Sequence, residues 1–281
     1  MMEAPAGIVA AADASREGVM ADFEYTVEGR VGLMRFNRPE KMNAISYDML
    51  RLIDEAVVRA AGDDRVRSVV ITGTGRAFSA GTDLQELSER TPSSGGEARA
   101  AATLEDRPAP WTLAAIKKPV VCAVNGAAVG LGAELTLQAD IRIAGESARF
   151  GWVFVHRGLV PDTGAGSWLL SRVVGLQNAA YLLYSGEIIS AARAKELGYV
   201  LEVVPDAQLL DRAMTLAAAV GNGAPLATAE VKRLLYQGLV RDPGEHNADS
   251  AATLQRMFAS EDFKEGIRAF LEKRQPDWQG R

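Results

Sequence analysis

The sequence predicts an α/β protein, because short apolar runs typical of buried strands alternate with segments whose apolar residues recur at helical spacing. The runs at residues 68–72 and 120–124 are the clearest strands. The second leads into a helical segment at 130–138 and a further strand at 141–144. The chain has 281 residues, of which 48% are hydrophobic. That content is enough for one sizeable core.

Upstream of this alternation the sequence predicts a hairpin followed by a helix. Residues 23–27 and 31–36 are strand-like, and the Glu-Gly-Arg between them forms the turn. Ser46 is placed to cap a helix that ends at residues 63–64. The apolar residues of that helix fall at helical spacing: Met49, Ile53, Val57 and Ala60.

Downstream of the alternation the sequence becomes mainly helical. A helix at 190–198 ends at a glycine, and a strand at 200–204 follows it. Helical patterns then dominate, at residues 209–220, 227–239, 247–259 and 261–273. We therefore predict three parts: a disordered tail at 1–21, an α/β core at 22–205 and a C-terminal helical region at 206–281.

Composition and charge exclude several classes of protein. The formal net charge is −5 at pH 7 and the pI is near 5.3, so the chain lacks the basic footprint of a nucleic-acid binder. No apolar run approaches the ~20 residues of a membrane span. Residues 1–21 lack the basic start and unbroken apolar segment of a signal peptide. The single cysteine, Cys122, excludes an internal disulfide and fits a reducing compartment, so we expect a cytoplasmic protein.

Two glycine-containing turns are the most informative feature of the chain. The first reads Arg-Ala-Phe-Ser-Ala-Gly-Thr-Asp-Leu at 76–84, and the second reads Asn-Gly-Ala-Ala-Val-Gly-Leu-Gly-Ala-Glu at 125–134. Each follows an apolar strand and opens into a segment that could begin a helix. Glycines there let the backbone approach a ligand, and a helix start leaves amide N–H groups unpaired. Two such turns facing each other would supply two donors to one developing oxyanion.

Four further segments, taken with these turns, resemble the crotonase family, also called the enoyl-CoA hydratase/isomerase superfamily. They are Asn-Arg-Pro-Glu-Lys-Met-Asn-Ala at 37–44, Lys-Pro-Val at 118–120, Ala-Asp-Ile-Arg at 139–142 and Glu-Asp-Phe-Lys-Glu-Gly at 261–266. The resemblance implies a spiral of ββα units with a C-terminal helical region, assembled as a trimer or a dimer of trimers. It also implies an acyl-CoA substrate, with coenzyme A as part of the substrate and no permanently bound cofactor. One cysteine and two histidines offer no credible metal site.

The family pattern assigns the two oxyanion donors to the backbone N–H groups of Thr82 and Leu131. Each residue follows a glycine, and Leu131 begins a helix whose dipole adds positive potential. A thioester carbonyl bound there would be polarised, which makes its α-proton more acidic. The resemblance therefore implies chemistry through an enolate.

The carboxylates depart from the hydratase pattern. Glu134 stands where hydratases keep their first catalytic glutamate, but the position of their second glutamate is Phe154 here. Hydration needs one group to activate water and another to protonate the α-carbon, and a phenyl ring can do neither. Asp162, eight residues on, occupies a position where relatives with other reactions carry a carboxylate. The surrounding residues are most similar to the 1,2-epoxyphenylacetyl-CoA isomerase type.

Double-bond isomerisation is therefore the first hypothesis, with Asp162 removing a γ-proton and returning it at the α-carbon. Hydration using Glu134 is an alternative, as is hydrolysis or dehalogenation with Asp162 as the nucleophile. A scaffold that binds acyl-CoA without catalysis also remains open, because of Phe154. Asp162 could instead cap the helix that starts near residue 164.

The remaining site residues are predicted from apolar character or from the resemblance. Trp152, Phe154 and Trp168 could make the pocket apolar, which would raise the pKa of a carboxylate there. The resemblance places these residues against coenzyme A: Arg38, Lys41, Met42, Ala44, Ala80, Asp83 and Leu84 from the core, with Phe263 and Lys273 from the C-terminal helices. The stretch at 91–110, rich in proline, glycine and small residues, is either a solvated loop or a lid.

Overall fold

The computed structural model describes residues 22–89 and 107–281. The predicted tail at 1–21 lies outside these residues, and so does most of the stretch at 91–110. The predicted mixture of strands and helices is confirmed.

Ten strands form two sheets in the described part of the chain. In chain order the strands are β1 (Phe23–Glu28), β2 (Val31–Phe36), β3 (Ser68–Gly73), β4 (Ala77–Ser79), β5 (Val120–Val124), β6 (Ala127–Val129), β7 (Ile141–Gly145), β8 (Arg149–Gly151), β9 (Ile188–Ser190) and β10 (Glu202–Val204). One sheet has the order β1-β2-β3-β5-β7-β10, and it is parallel except for the β1–β2 hairpin. The other has the order β4-β6-β8-β9, and its β8–β9 pair is antiparallel.

Helices connect the strands and then continue to the C-terminus. They are α1 (Tyr47–Gly62), α2 (Leu84–Glu89), α3 (Leu131–Leu137), α4 (Ala165–Val174), α5 (Leu176–Ser185), α6 (Ala191–Glu196), α7 (Leu209–Val220), α8 (Pro225–Gly238), α9 (Pro243–Phe258) and α10 (Glu261–Glu272). Short 3-10 turns lie at Pro39–Lys41, Val153–Arg157 and Asp206–Gln208. The predicted cap of α1 is confirmed, because the Ser46 hydroxyl accepts the Met49 N–H at 3.1 Å.

The larger sheet is buried on both faces, as its continuous apolar strands predict. Side chains alternate across each strand. In β3, Val70 therefore faces a cluster that includes Ala213 of α7, while Ile71 joins the main core with Ile53 of α1. Helix α7 thus packs on one face of the sheet. The first helix of the C-terminal region predicted from residue 206 is therefore part of the core.

Two C-terminal helices begin earlier than their apolar patterns predict, because each has proline at its first position. Proline has no N–H to lose there, and its fixed φ suits a helix start. The Asp242 carboxylate caps α9 by accepting the Gly244 N–H at 2.7 Å.

Lys232 links α8 to the core through an ion pair with Asp140 at 2.8 Å. Among the described helices, none has the length and apolar character needed to cross a membrane.

Candidate active site

A cavity of about 620 Å³ opens between the two glycine turns and the segment that precedes α4. Its wall includes Ala80, Gly81, Thr82, Asp83 and Leu84 of the first turn, Gly130 and Leu131 of the second, Trp111 and Thr112 of the segment before β5, and Phe154, Leu159, Asp162 and Thr163 before α4. Helices α1 and α2 also contribute, through Tyr47, Leu50, Glu86 and Leu87. The volume lies in the range of small-molecule sites.

Parallel pairing of β4 with β6 brings the two turns side by side, with Ser79 opposite Ala128. The turns then pack backbone against backbone. A Cβ atom at Gly132 would overlap the Ser79 carbonyl oxygen, and one at Gly81 would lie 2.7 Å from the Val129 carbonyl oxygen. Gly81 also has a φ of +94°, which favours glycine. The glycines at 81 and 132 are therefore what permits this approach.

The N–H groups of Thr82 and Leu131 are unpaired within residues 22–89 and 107–281. Thr82 pairs with Ile45 in an isolated parallel bridge, in which Ile45 bonds to the flanking residues, Gly81 and Asp83. The N–H of Thr82 therefore points away from Ile45. Leu131 is the first residue of α3, so its N–H has no helical acceptor. Both residues line the cavity.

Ser79 and Asn43 hold the first turn in place. The Ser79 hydroxyl donates to the Asn43 carbonyl at 2.8 Å and accepts the Gly81 N–H at 3.1 Å. The Asn43 amide donates to the carbonyl oxygens of Thr74 and Ala77 at 3.0 and 2.7 Å. This structural role of Asn43 was not predicted from the sequence. Its position inside the 37–44 segment, which carries the family resemblance, is the signal that could have indicated it.

Glu134 of α3 is completely buried and does not line the cavity. One carboxyl oxygen, Oε2, accepts the Thr163 hydroxyl at 2.6 Å and the Gly166 N–H at 3.0 Å. The other, Oε1, has no hydrogen-bond partner among the described residues. Desolvation raises the pKa of Glu134 to about 7, although the hydrogen bonds from Thr163 and Gly166 oppose the rise.

Gly166→Ala is expected to disturb this carboxyl group directly. An added Cβ would overlap Glu134 Oε1 and lie 3.1 Å from Pro161 Cβ. We expect a loss of ~1–3 kcal/mol in the free energy of unfolding from overpacking, measured by chemical denaturation. Gly62→Ala is the matched control, since nothing lies within 4 Å of its added Cβ. Equal stability of the two variants would contradict the close contact.

Asp162 lies on the cavity wall, three residues before the start of α4. Its side chain is accessible from the cavity, yet desolvation by the surrounding protein raises its pKa to about 6, against the lowering effect of backbone N–H groups. The alternative in which Asp162 caps a helix is wrong. The N-cap residue of α4 is Gly164, in a left-handed conformation, and the first two N–H groups of the helix are accepted by the side chains of Thr163 and Glu134 instead.

The aromatic wall of the cavity differs from the predicted one. Phe154 lines it, but Trp152 is fully buried and packs edge-to-face on Tyr199 with ring centroids 5.3 Å apart. Trp168 stacks under the Arg172 guanidinium at 3.4 Å, outside the lining. Trp111 takes their place, held by a hydrogen bond from Nε1 to the Thr163 carbonyl at 3.2 Å. No periodic pattern around Trp111 predicts this position.

Of the predicted coenzyme A residues of the core, Ala80, Asp83 and Leu84 line the cavity, whereas the four residues from the 37–44 segment lie behind them. Arg38 pairs with Asp83 at 2.9 Å, and Lys41 lies 3.7 Å from the same carboxylate. Burial alone would raise the pKa of Asp83, but the hydrogen bond from Arg38 and the nearby Lys41 hold it below its usual range. The carbonyl oxygens of Met42 and Ala44 accept from the Ala80 N–H at 3.0 Å and from Arg38 at 3.3 Å.

The two predicted residues of the C-terminal helices lie elsewhere. Phe263 packs on Phe258 with ring centroids 5.1 Å apart, and Lys273 ends α10 in a left-handed conformation. Neither lines the cavity of its own chain.

Comparison with known proteins agrees with this fold. The model of the enoyl-CoA hydratase/isomerase family matches residues 26–281. Among curated relatives, the 2,3-dehydroadipyl-CoA hydratase of Escherichia coli (strain K12) is 38% identical to this chain. The alignment covers 93% of this chain and 100% of that protein. The 1,2-epoxyphenylacetyl-CoA isomerase of the same organism is 36% identical, covering 91% of this chain and 97% of its own.

Solved structures agree with the family model. An enoyl-CoA hydratase subunit from Geobacillus kaustophilus superposes with a TM-score of 0.81 at 35% identity, covering 93% of this chain and 99% of that one. An enoyl-CoA hydratase from Bacillus anthracis superposes with a TM-score of 0.82 at 28% identity, covering 93% and 100%. The chain belongs to the enoyl-CoA hydratase/isomerase, or crotonase, family, and the predicted crotonase fold is confirmed.

Proposed function

We propose that this protein is an acyl-CoA isomerase that moves a carbon–carbon double bond through an enolate-type intermediate. The observation that carries the proposal is the unequal placement of the two carboxylates. Asp162 lines the cavity, whereas Glu134 is completely buried and accepts a hydrogen bond from the Thr163 hydroxyl. Phe154 lies on the wall where a hydratase would need its second acid. The cavity wall carries two further carboxylates, but Asp83 is paired with Arg38 and Glu86 accepts the Tyr47 N–H. Asp162 is therefore the carboxylate available for a proton shift that consumes no water.

The first step is polarisation of the thioester. Its oxygen accepts hydrogen bonds from the free N–H groups of Thr82 and Leu131 at the cavity wall. Each such donor typically stabilises the transition state by ~2.7–4 kcal/mol. The N-terminus of α3 adds positive potential at Leu131. Negative charge that develops on the oxygen is thereby stabilised.

Proton transfer is the second step. The ionised Asp162 carboxylate removes a γ-proton from a 2-enoyl thioester, and the electrons move through the former double bond to the thioester oxygen. The resulting dienolate takes a proton at the α-carbon, which leaves the double bond between the β- and γ-carbons. A pKa of about 6 suits Asp162 to this task, because a base works best when its pKa lies near the operating pH.

Hydration is the second candidate. Two observations favour it: the hydratase relatives at comparable identity and the Glu134 carboxyl, whose pKa is raised by burial to about 7. It would require Glu134 to act together with Asp162. Hydrolysis or dehalogenation would use Asp162 as a nucleophile, and a non-catalytic scaffold would use none of these groups.

Incubation with a panel of 2-enoyl and 3-enoyl-CoA esters tests the proposal, with products followed by chromatography and mass detection. We expect a product of unchanged mass and shifted retention time. Gain of one water would favour hydration instead, and release of free coenzyme A would favour hydrolysis. Tight binding without turnover across the panel would indicate the scaffold.

Lys41→Gln is expected to weaken acyl-CoA binding about threefold to tenfold and to leave kcat unchanged. The Lys41 side chain is 47% exposed beside the more buried Arg38–Asp83 pair, so it is the ammonium group available to a phosphate. The dissociation constant should also lose part of its salt dependence. Lys195→Gln, on an exposed face of α6, is the control. An unchanged dissociation constant in the Lys41 variant would contradict this role.

We also propose that the chain assembles as a trimer or a dimer of trimers through its C-terminal helices. Helix α10 exposes an apolar face, with Phe270 82% and Leu271 73% exposed. Apolar surface of this kind is typical of protein–protein contacts. Sedimentation analysis would test the assembly, and a monomer at micromolar concentration would contradict it.

A further inference from the structure

Glu134 is isolated from the cavity except through one side chain. It is completely buried, and its two hydrogen-bond donors within the described residues are the Thr163 hydroxyl and the Gly166 N–H. The Gly166 N–H is a backbone group at the start of α4 and cannot exchange roles as donor and acceptor. Thr163 is the one of the two that lines the cavity. A proton on Glu134 therefore has Thr163 as its path to a bound ligand.

The Thr163 hydroxyl is arranged to change direction with the charge of Glu134. Its oxygen lies 2.6 Å from Glu134 Oε2 and accepts the Ala165 N–H at 3.2 Å. When Glu134 is ionised, the hydroxyl donates to the carboxylate. When Glu134 is protonated, the carboxyl can donate to the hydroxyl oxygen, and the hydroxyl proton is then free to point into the cavity.

The Glu134 carboxyl group has fewer hydrogen bonds than a purely structural role would require. Its Oε1 atom is buried without a partner among the described residues, against the Cα of Gly166. A buried polar atom without a hydrogen bond is costly. A carboxyl group that must hold and release a proton accounts for this placement, since no fixed set of donors suits both of its charge states.

We propose that Thr163 is a catalytic residue through which Glu134 delivers the proton to the α-carbon of the substrate. The inference rests on the proposed function, because it assumes an enolate or dienolate at the Thr82 and Leu131 amides. It assigns the two proton positions to separate groups, with Asp162 at the γ-carbon and the Glu134–Thr163 pair at the α-carbon.

The transfer balances as follows in atoms and charge. The Thr163 O–H bond breaks as a new C–H bond forms at the α-carbon, using the electron pair of the dienolate. At the same time the Glu134 O–H bond breaks and its proton restores the Thr163 hydroxyl. Glu134 is left as a carboxylate, Asp162 holds the γ-proton, and exchange with water in the cavity returns both to their starting states.

Exchange of the α-hydrogens of butyryl-CoA with solvent deuterium, followed by mass detection, tests the inference without requiring isomerisation. Wild type and Thr163→Ser should exchange, because both carry a hydroxyl. Thr163→Val and Glu134→Gln should each lose the exchange by about a hundredfold or more. The double variant should be no slower than either single variant, because the two groups act as one unit. Butyryl-CoA binding should be retained in every variant.

Three outcomes would overturn the relay. The first is rapid exchange in both Thr163→Val and Glu134→Gln with loss in Asp162→Asn, and the second is loss in the double variant equal to the product of the two single losses. The third is no exchange by wild type. In that case, isomerisation of the enoyl-CoA panel would show that the proposed function stands while the relay fails, and no isomerisation would mean that both fail. If Thr163→Val does not fold, Glu134→Gln with Thr163→Ser decides the question.

Discussion

Asp162→Asn is expected to lower kcat for isomerisation by about a hundredfold to ten-thousandfold, the usual contribution of a positioned base. The amide keeps the size of the carboxyl group but cannot accept the γ-proton. Because Asp162 is accessible at the cavity wall and caps no helix, the fold should tolerate the change. The dissociation constant for a saturated acyl-CoA should change little, since binding depends mainly on other groups.

The pH dependence of kcat provides a second expected result for this variant. Asp162 acts as a base when ionised, and its pKa is raised to about 6, so kcat should rise with pH through about 6. If Glu134 supplies the second proton, it must be protonated, and its pKa of about 7 should make kcat fall above that pH. The rising limb should disappear in Asp162→Asn. The falling limb should disappear in Glu134→Gln.

Asp211→Asn, an exposed position on α7, is the matched control and should keep the wild-type rate and profile. Full activity in Asp162→Asn would rule out Asp162 as the base. An unchanged profile with lower kcat would mean that the group titrating in wild type is not Asp162. Because the two carboxyl groups interact, the measured values belong to the pair, and the variants are needed to assign them.

Gly132→Ala is the second substitution with a large expected effect. The added methyl group would overlap the Ser79 carbonyl oxygen, a backbone atom that cannot rotate away. Relief of the overlap must separate the two turns and move the Thr82 and Leu131 amides apart. We expect kcat to fall by about a hundredfold to a thousandfold, as when one oxyanion donor is lost.

Stability and binding separate this effect from simple unfolding. Overpacking should cost ~1–3 kcal/mol in the free energy of unfolding, so the variant should remain folded at room temperature. Gly62→Ala, at the end of α1 and with no neighbour near the added methyl, should be close to wild type in both stability and rate. A folded Gly132→Ala protein with wild-type kcat would contradict the role of the paired amides.

Local signals were enough to predict the paired turns and most helices. Strand–glycine–helix patterns depend on neighbouring residues, so each turn could be predicted, at residues 76–84 and 125–134. Their side-by-side approach comes from the long-range pairing of β4 with β6. The N-cap at Ser46 and the bounds of α7 at Leu209–Val220 follow from equally local chemistry. The apolar pattern places the starts of α8 and α9 too late, because the proline at the first position of each lies outside that pattern.

Side-chain direction in the site could not be predicted in the same way. Glu134 and Asp162 are 28 positions apart, and which of them meets the cavity depends on where α4 starts and how it packs against α3. The presence of Trp111 rather than Trp152 on the cavity wall has a similar cause. It depends on how segments distant in sequence pack around the β8 end and Tyr199.

Polarisation of the thioester carbonyl is the step on which the proton transfers described above depend. It can be measured directly by infrared difference spectroscopy of butyryl-CoA labelled with ¹³C at the thioester carbonyl. We expect the carbonyl band to move to lower wavenumber on binding to wild type and to move back toward its free value in Gly132→Ala. A band that stays at its free value when butyryl-CoA is bound to wild type would contradict an oxyanion site at Thr82 and Leu131.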